Sequence, residues 1–187
     1  MPNHVENELY VRGPQAERDN FFNAAEGHEH GIDSMTGQET SEVNELDFNS
    51  FIPYPKEYKD QDLLAGQMAR DRYAMEPAQR EAHIKEHGWP KDGYNQGGYD
   101  WCVHTWGTKW NAYSIRRKEN KTSIRYDFQT AWSPPIKVIN AMAHMFPTLT
   151  FVLRYFEMGV GFQGRYVIKG DEIIEDTNKK YYGHRGG

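Results

Sequence analysis

The chain contains a single cysteine, Cys102, among its 187 residues. A lone thiol forms no disulfide within the chain, so disulfide scaffolds and cysteine-rich zinc sites are excluded. Long apolar runs are also missing: none approaches the ~20 residues that cross a bilayer, and the mean hydropathy is -0.90. The opening segment MPNHVENELY lacks the basic and apolar parts of a signal peptide. We therefore expect an intracellular protein with no membrane partner.

An excess of basic residues is absent as well. The chain has 27 acidic and 22 basic residues, and its formal net charge is -5. Because proteins neutralise phosphates with Lys and Arg, this balance argues against general nucleic-acid binding. No GxxxxGK(S/T) loop and no GxSxG elbow is present. We predict no catalytic residue and no cofactor, and we favour a binding protein over an enzyme.

One short segment has the composition of a metal site. His28, Glu29 and His30 offer two imidazoles and a carboxylate at close spacing. An ordinary zinc site needs at least one further protein ligand, which the segment does not supply. We interpret it as part of a solvated polar loop over Gly27–Glu45 and predict no metal site.

Alternation of apolar and polar residues predicts a sheet. Asn3–Gly13 places Val5, Leu9 and Val11 on one side, and Lys121–Phe128 alternates in the same way. Further strands are predicted at Leu46–Ile52, Trp110–Arg116, Thr148–Glu157, Val160–Lys169 and, as an edge strand, Glu172–Glu175. The last ten residues, NKKYYGHRGG, are expected to fray.

Helical patterns lie between these strands. Gln15–Ala25 and Tyr99–Trp106 have amphipathic spacing, and Ser133 followed by two prolines is typical of a helix start. The pattern at Asp60–Gly88 also predicts a helix, with an interruption near Pro77. The order favours an α+β fold: a ferredoxin-like antiparallel sheet with helices on one face and a helical insertion. We interpret residues 1–187 as one such domain, with the insertion at 57–98.

Aromatic residues are abundant, at 14% of a polar chain, and they concentrate in the segment Tyr99–Asn111. Tryptophans here can fill a core, but Gly107, Thr108 and Lys109 between them are harder to explain by packing. Indole faces beside a lysine suit a planar anion such as a nucleotide. A second cluster, Gln129–Ser133, precedes a helix start, where prolines remove two donors. The predicted ligand-contacting residues are Trp101, Trp106, Gly107, Thr108, Lys109, Trp110, Asn111, Thr130 and Trp132.

Several stretches also carry a family resemblance. They are PNHVENELYVRG, LDFNSFIPYP, YDWCVHTWGTKWNA, FQTAWSPP and FPTLTF. Together they resemble the Api92-like or YubB ferredoxin-like proteins of bacteriophages, prophages and conjugative plasmids. The resemblance implies a ferredoxin-like fold, a mobile-element origin and a location in the cytoplasm of a bacterial host. It carries over no catalytic residue.

Three functional hypotheses follow from these observations. The leading one is a non-catalytic accessory protein that binds a small nucleotide-like ligand and sequesters a host immune signal. The second is a protein–protein inhibitor of a host defence factor. The third is a nucleotide phosphodiesterase, which needs paired histidines or clustered carboxylates in one pocket, whereas His4, His104 and His144 are predicted on different elements. Homo-oligomer formation through the sheet stays open.

Overall fold

The structure, a computed structural model, describes residues 3–32 and 39–183. The chain forms two compact units: Met1–Gly27, Asn44–Pro53 and Trp101–Gly187 make the first, and His28–Val43 and Tyr54–Asp100 make the second. The helices and strands are β1 (His4–Arg12), α1 (Gln15–Ala25), β2 (Gly27–Ile32), β3 (Glu39–Asn44), α2 (Lys56–Tyr73), α3 (Pro77–His87), α4 (Gly98–Thr105), β4 (Tyr113–Glu119), β5 (Ser123–Ala131), α5 (Ile136–Met145), β6 (Thr150–Glu157), β7 (Phe162–Lys169) and β8 (Glu172–Lys180), with short 3-10 helices at Phe48–Ser50 and Tyr94–Gln96.

The first unit is built on one antiparallel sheet in the order β4-β5-β1-β6-β7-β8. Its elements β1, α1, β4, β5, α5 and β6 follow the β-α-β-β-α-β order of the ferredoxin-like fold. The strand β1 lies between β5 and β6, and the strands β7 and β8 extend the sheet beyond β6. The predicted α+β class and antiparallel sheet are confirmed.

One face of this sheet forms the core with α1 and α5. Val5, Leu9 and Val11 of β1 are fully buried there, as the alternation predicted. Phe21 of α1 packs on the same face, with its ring centroid 5.3 Å from that of Phe151 on β6. The residues that α5 buries are Val138, Ile139, Met142 and Ala143.

The other face of the sheet, which we call the polar face, carries mainly charged and polar side chains, with Phe156 among them. Strand register places them in rows that run across the sheet. One row contains Tyr113, Gln129, Glu6, Phe156, Gln163 and Lys179, from β4 to β8. The neighbouring row contains Arg116, Asp127, Glu8, Arg154, Arg165 and Thr177. The rows bring together residues that are distant in sequence.

The predicted strand at Leu46–Ile52 is wrong. This segment is a turn followed by the 3-10 helix Phe48–Ser50. The Oδ1 atom of Asp47 accepts hydrogen bonds of 2.9 Å from the backbone N and the side-chain amide of Asn49. Such local bonds between side chain and backbone compete with a strand ladder.

The predicted polar loop at Gly27–Glu45 is wrong over Gly27–Ile32 and Glu39–Asn44, because β2 and β3 pair there as a two-stranded sheet. Residues 33–38 of that predicted loop lie outside the described residues. The segment is so poor in apolar residues that no alternation marks its strands. At the other end of the chain, β8 reaches Lys180 rather than Glu175. Residues 184–187 of the predicted frayed tail lie outside the described residues.

The predicted helices are confirmed with small shifts. The pattern at Asp60–Gly88 forms two helices, α2 and α3, and Pro77 occupies the first turn of α3, where its missing N–H costs no hydrogen bond. The helix after the two prolines begins at Ile136. Among the described residues, no helix is long and apolar enough to cross a membrane.

Tyr126, in the core, provides a test of this packing. It is fully buried, and its hydroxyl has no hydrogen-bond partner among the described residues. Burial raises the pKa of Tyr126 above the ordinary value of 10.0. Because the folded-state pKa is raised, the stabilising contribution is complete below pH 10 and is lost as the pH rises further. We predict that Tyr126→Phe leaves the free energy of unfolding at neutral pH unchanged or raises it by about 1 kcal/mol. It should also reduce the alkaline loss of stability.

Urea denaturation at neutral and alkaline pH measures both effects, and Tyr166→Phe is the matched control at neutral pH. The hydroxyl of Tyr166 donates a 2.8 Å hydrogen bond to Oδ1 of Asn140, so its removal should cost about 1 kcal/mol. A loss for Tyr126→Phe as large as that for Tyr166→Phe would show that the Tyr126 hydroxyl is satisfied in solution.

Candidate functional site

The turn after β5 holds an exposed tryptophan in an uncommon backbone conformation. Trp132 has a φ of 73°, which is rare for a bulky side chain, and it is 44% exposed. Its backbone N donates a 2.9 Å hydrogen bond to the carbonyl O of Asn3. The buried hydroxyl of Thr130 donates to the carbonyl O of Ser133 at 2.8 Å and accepts from Nδ2 of Asn7 at 2.9 Å. These bonds over-determine the turn and hold Trp132 in place.

Hydrogen bonds join the segment after α4, which contains Gly107 and Thr108, to the same turn. Gly107 has a φ of 80°, which glycine adopts without strain. The hydroxyl of Thr108 is buried and donates to the carbonyl O of Ala131 at 2.9 Å. In return, the hydroxyl of Ser133 donates to the carbonyl O of Gly107. The two predicted clusters are therefore one structure, joined by hydrogen bonds in both directions.

Lys109 lies at the centre of this structure. Its Nζ is 4.8 Å from the ring centroid of Trp110 and 4.9 Å from that of Trp132. An ammonium group at such distances is attracted by both ring faces, by about 0.5–1 kcal/mol each at an exposed site. The structure thus places a cation between two indoles, one from each predicted cluster.

Tyr113 and His4 continue this arrangement onto the polar face. The rings of Trp110 and Tyr113 meet edge to face at 6.2 Å, and the Tyr113 hydroxyl is 2.5 Å from Nδ1 of His4. Burial and the nearby charge of Glu6 raise the pKa of Tyr113, while its hydrogen bond with Trp110 opposes the rise. The phenol therefore keeps its proton at neutral pH. We call Lys109, Trp110, Trp132, Tyr113 and His4 the Lys109 cluster.

The other predicted residues form the framework behind the cluster. Trp106 is 3% exposed, and its Nε1 donates to the carbonyl O of Ile52 at 2.8 Å. Trp101 packs edge to face on Trp106, with ring centroids 5.3 Å apart. Asn111 accepts a 2.9 Å hydrogen bond from the backbone N of Phe48 and donates a 2.7 Å bond to Oδ1 of Asp47. The indole N–H of Trp106 and the amide of Asn111 therefore form hydrogen bonds within the protein.

Sequence reasoning assigned neither His4 nor Tyr113 to this site. The period-two pattern of β1 identified the face of His4, but no pattern within one strand shows which residue of another strand lies beside it. The structure gives the histidines of the phosphodiesterase hypothesis separate partners: His4 contacts Tyr113, and His144 lies 2.9 Å from Oδ1 of Asp171. In the described part of the chain, no group of three or more His, Cys, Asp or Glu residues is arranged to hold a metal.

The sequence from residue 109 to residue 184 matches a family described as the ferredoxin-like domain in Api92-like protein. Over this segment the chain is similar to the ferredoxin-like domain of Api92-like proteins. The crystal structure of protein api92 from Yersinia pseudotuberculosis covers 98% of this chain and 99% of its own, with a TM-score of 0.54 and 11% sequence identity. At that identity the likeness shows the fold alone. No curated protein matches the sequence.

This similarity agrees with the resemblance and the fold class that the sequence predicted. The family match begins at Lys109 and includes Trp132, so the two sides of the Lys109 cluster both lie in the matched segment. The strand β1, which provides His4, lies outside that segment although it pairs with β5 and β6 in the same sheet. Neither comparison assigns a role to the cluster.

The hydroxyl of Thr130 gives a test of the framework behind the Lys109 cluster. Thr130→Val keeps the side-chain shape but removes the group that joins Asn7 to Ser133. We expect the free energy of unfolding to fall by about 1–3 kcal/mol, because buried polar partners lose their hydrogen bonds. Urea denaturation measures this change. Thr148→Val is the control: Thr148 is exposed and its hydroxyl lies 3.4 Å from Glu17. Equal small effects for the two variants would contradict the framework role.

Proposed function

We propose that the protein binds a small nucleotide-like ligand at the Lys109 cluster without turning it over. One observation carries the proposal: the exposed Trp132 is held at a φ of 73° with its ring beside Lys109. Strained conformations persist where surrounding bonds enforce them, and they concentrate at functional sites.

The chemistry of the cluster suits a planar ligand with a phosphate. The ammonium group of Lys109 supplies a point charge for an anion. An indole face offers a stacking surface that accepts any nucleobase, at about 1–3 kcal/mol per base. Tyr113 and His4 add polar groups at the edge of the same surface.

Binding at this cluster needs little reorganisation. Thr108 and Ser133 fix the segment before Lys109, and Thr130 fixes the turn that carries Trp132, through buried or partly buried hydrogen bonds. A preorganised site loses less conformational entropy when its ligand binds. We therefore expect substitutions of the framework residues to change ligand affinity by changing the stability of the site. Substitutions of Lys109 and Trp132 should change affinity because these two residues contact the ligand.

Binding without turnover is supported by the state of the ionisable neighbours. The Tyr113 hydroxyl and His4 are hydrogen-bonded to each other, and the raised pKa of Tyr113 disfavours the phenolate that a base or nucleophile would need. The biological role that we propose is sequestration of a host immune signal by an accessory protein of a mobile element.

A second candidate function is binding of a host protein. Large apolar side chains are exposed around the turn between β6 and β7 and after β8: Met158 is 67% exposed, Val160 74% and Tyr182 75%. Exposed apolar residues grouped in this way are typical of protein contacts. They lie outside the Lys109 cluster, so the two candidates are separable by mutation.

The nucleotide proposal is tested by isothermal titration of the whole chain against cyclic mononucleotides, cyclic dinucleotides and ADP-ribose-type nucleotides. We expect one class to bind, with affinity reduced at least about fivefold in Trp132→Gly, since stacking contributes about 1–3 kcal/mol. Glycine relieves the positive φ, so this variant keeps its fold. Lys109→Gln should weaken binding by about tenfold or more, because bonds to charged groups contribute about 1.5–3 kcal/mol.

Matched controls are available in the second unit. Trp89 is 70% exposed, with the guanidinium of Arg72 5.2 Å from its ring centroid, so Trp89→Ala removes a comparable indole beside a cation. Lys91→Gln removes an exposed lysine nearby. Absence of heat with every nucleotide, or equal losses in the controls, would refute the proposal. Chromatographic detection of a cleaved nucleotide would instead favour the phosphodiesterase.

A further inference from the structure

A concavity of about 270 Å³ lies on the polar face over β6, β7 and β8. Its lining includes Arg154, Gln163, Arg165, Glu175, Thr177 and Lys179. The volume is just below the ~300 Å³ at the lower end of small-molecule sites. The space therefore suits a ligand of the size of a phosphorylated monosaccharide rather than a dinucleotide.

Strand register explains why these side chains converge. Arg154 is opposite Arg165, and Arg165 is opposite Thr177, in one row of the polar face. In the neighbouring row Gln163 is opposite Lys179. Residues of neighbouring strands lie about 4.8 Å apart and point to the same side of the sheet. Three cations from three strands consequently border one small space.

The concavity has more cationic than anionic charge available to a ligand. Arg165 forms an ion pair with Glu175, and the carboxylate of Glu8 is engaged by Arg125 at 2.9 Å. Arg154 and Lys179 form no ion pair with any residue that the structure describes. Like charges directly opposite each other, as in Arg154 and Arg165, destabilise a sheet. A bound anion would relieve that repulsion.

Gln163 supplies the second indication of a ligand. It is 8% exposed and lines the concavity, and its Oε1 is buried without a hydrogen-bond partner among the described residues. A buried acceptor that lacks a donor is costly and calls for an explanation. A ligand that presents an O–H or N–H group would satisfy it.

From these observations we propose that the concavity is a binding site for a small phosphate ester that carries hydroxyl groups, of the sugar-phosphate class. The phosphate binds Arg154 and Lys179, with Arg165 beside them, and a hydroxyl donates to Oε1 of Gln163. Charge-assisted bonds from guanidinium and ammonium groups are the strong contacts that phosphates prefer.

This site does not depend on the Lys109 cluster. Tyr113 and Lys179 lie at opposite ends of one row of the six-stranded sheet. Five strand spacings separate them by about 24 Å. One ligand of sugar-phosphate size does not reach both, so the two proposals fail or succeed separately.

The test is titration of the whole chain with ribose 5-phosphate, inorganic phosphate and ribose. We expect ribose 5-phosphate to bind more tightly than phosphate, and ribose alone to give no binding. Lys179→Gln and Arg154→Gln should each weaken binding of both phosphates by about tenfold, which corresponds to about 1.4 kcal/mol. Lys169→Gln is the matched control, since Lys169 is an exposed residue of β7 that does not line the concavity.

Gln163→Met separates the hydroxyl contact from the charge contact. Methionine has a similar length and no buried acceptor, so the variant should be at least as stable as the wild type. It should bind phosphate unchanged and lose the preference for ribose 5-phosphate. Lys109→Gln should leave this binding unchanged. Absence of ribose 5-phosphate binding at millimolar concentration, or equal affinity in Lys179→Gln and Lys169→Gln, would overturn the site.

Discussion

The pairing of β1 with β5 on one side and β6 on the other is the constraint on which the rest of the first unit depends. Both ladders run along nearly the whole strand. Because side chains alternate with a period of two, the burial of Val5, Leu9 and Val11 places Glu6 and Glu8 on the opposite face. A slip by one residue would move carboxylates into the core, at a cost that the fold would not survive. The register is therefore fixed, and with it the rows of the polar face.

The Lys109 cluster is built where this pairing ends. Trp132 continues from β5 and bonds to Asn3, just before β1, and the backbone N of Lys109 is 3.5 Å from the carbonyl O of Ala131. The cluster is anchored to the most strongly specified strands of the sheet, and this anchorage offsets the strain at Trp132. At a frayed strand end a strained residue would relax to a common backbone conformation. Here the hydrogen bond from the Thr130 hydroxyl to the carbonyl O of Ser133 holds the turn in place.

Sequence patterns predicted what depends on local periodicity and little of what depends on pairing between strands. The alternation in β1 and β5 and the prolines before α5 predicted those three elements, and the α+β class followed from the order in which strands and helices alternate. Leu46–Ile52 had a strand-like composition, but side-chain bonds of Asp47 and Asn111 hold it as a turn. The tryptophan and lysine motif located the candidate site, although Thr108 and Asn111 support it from within. Gln163 carried no signal, because its significance arises only from the strands beside it.

The acidic composition of the chain is compatible with the two proposed anion sites because charge acts locally on small ligands. Screening limits the reach of an exposed charge to about 8 Å at physiological ionic strength. Arg125 binds both Glu8 and Asp127, so two carboxylates of the polar face are neutralised by a residue outside the concavity. A nucleic acid contacts many charges along its length and responds to the net balance of -5. A sugar phosphate responds only to the few groups that touch it. The charge balance that argues against general nucleic-acid binding therefore leaves room for selective binding of small phosphates.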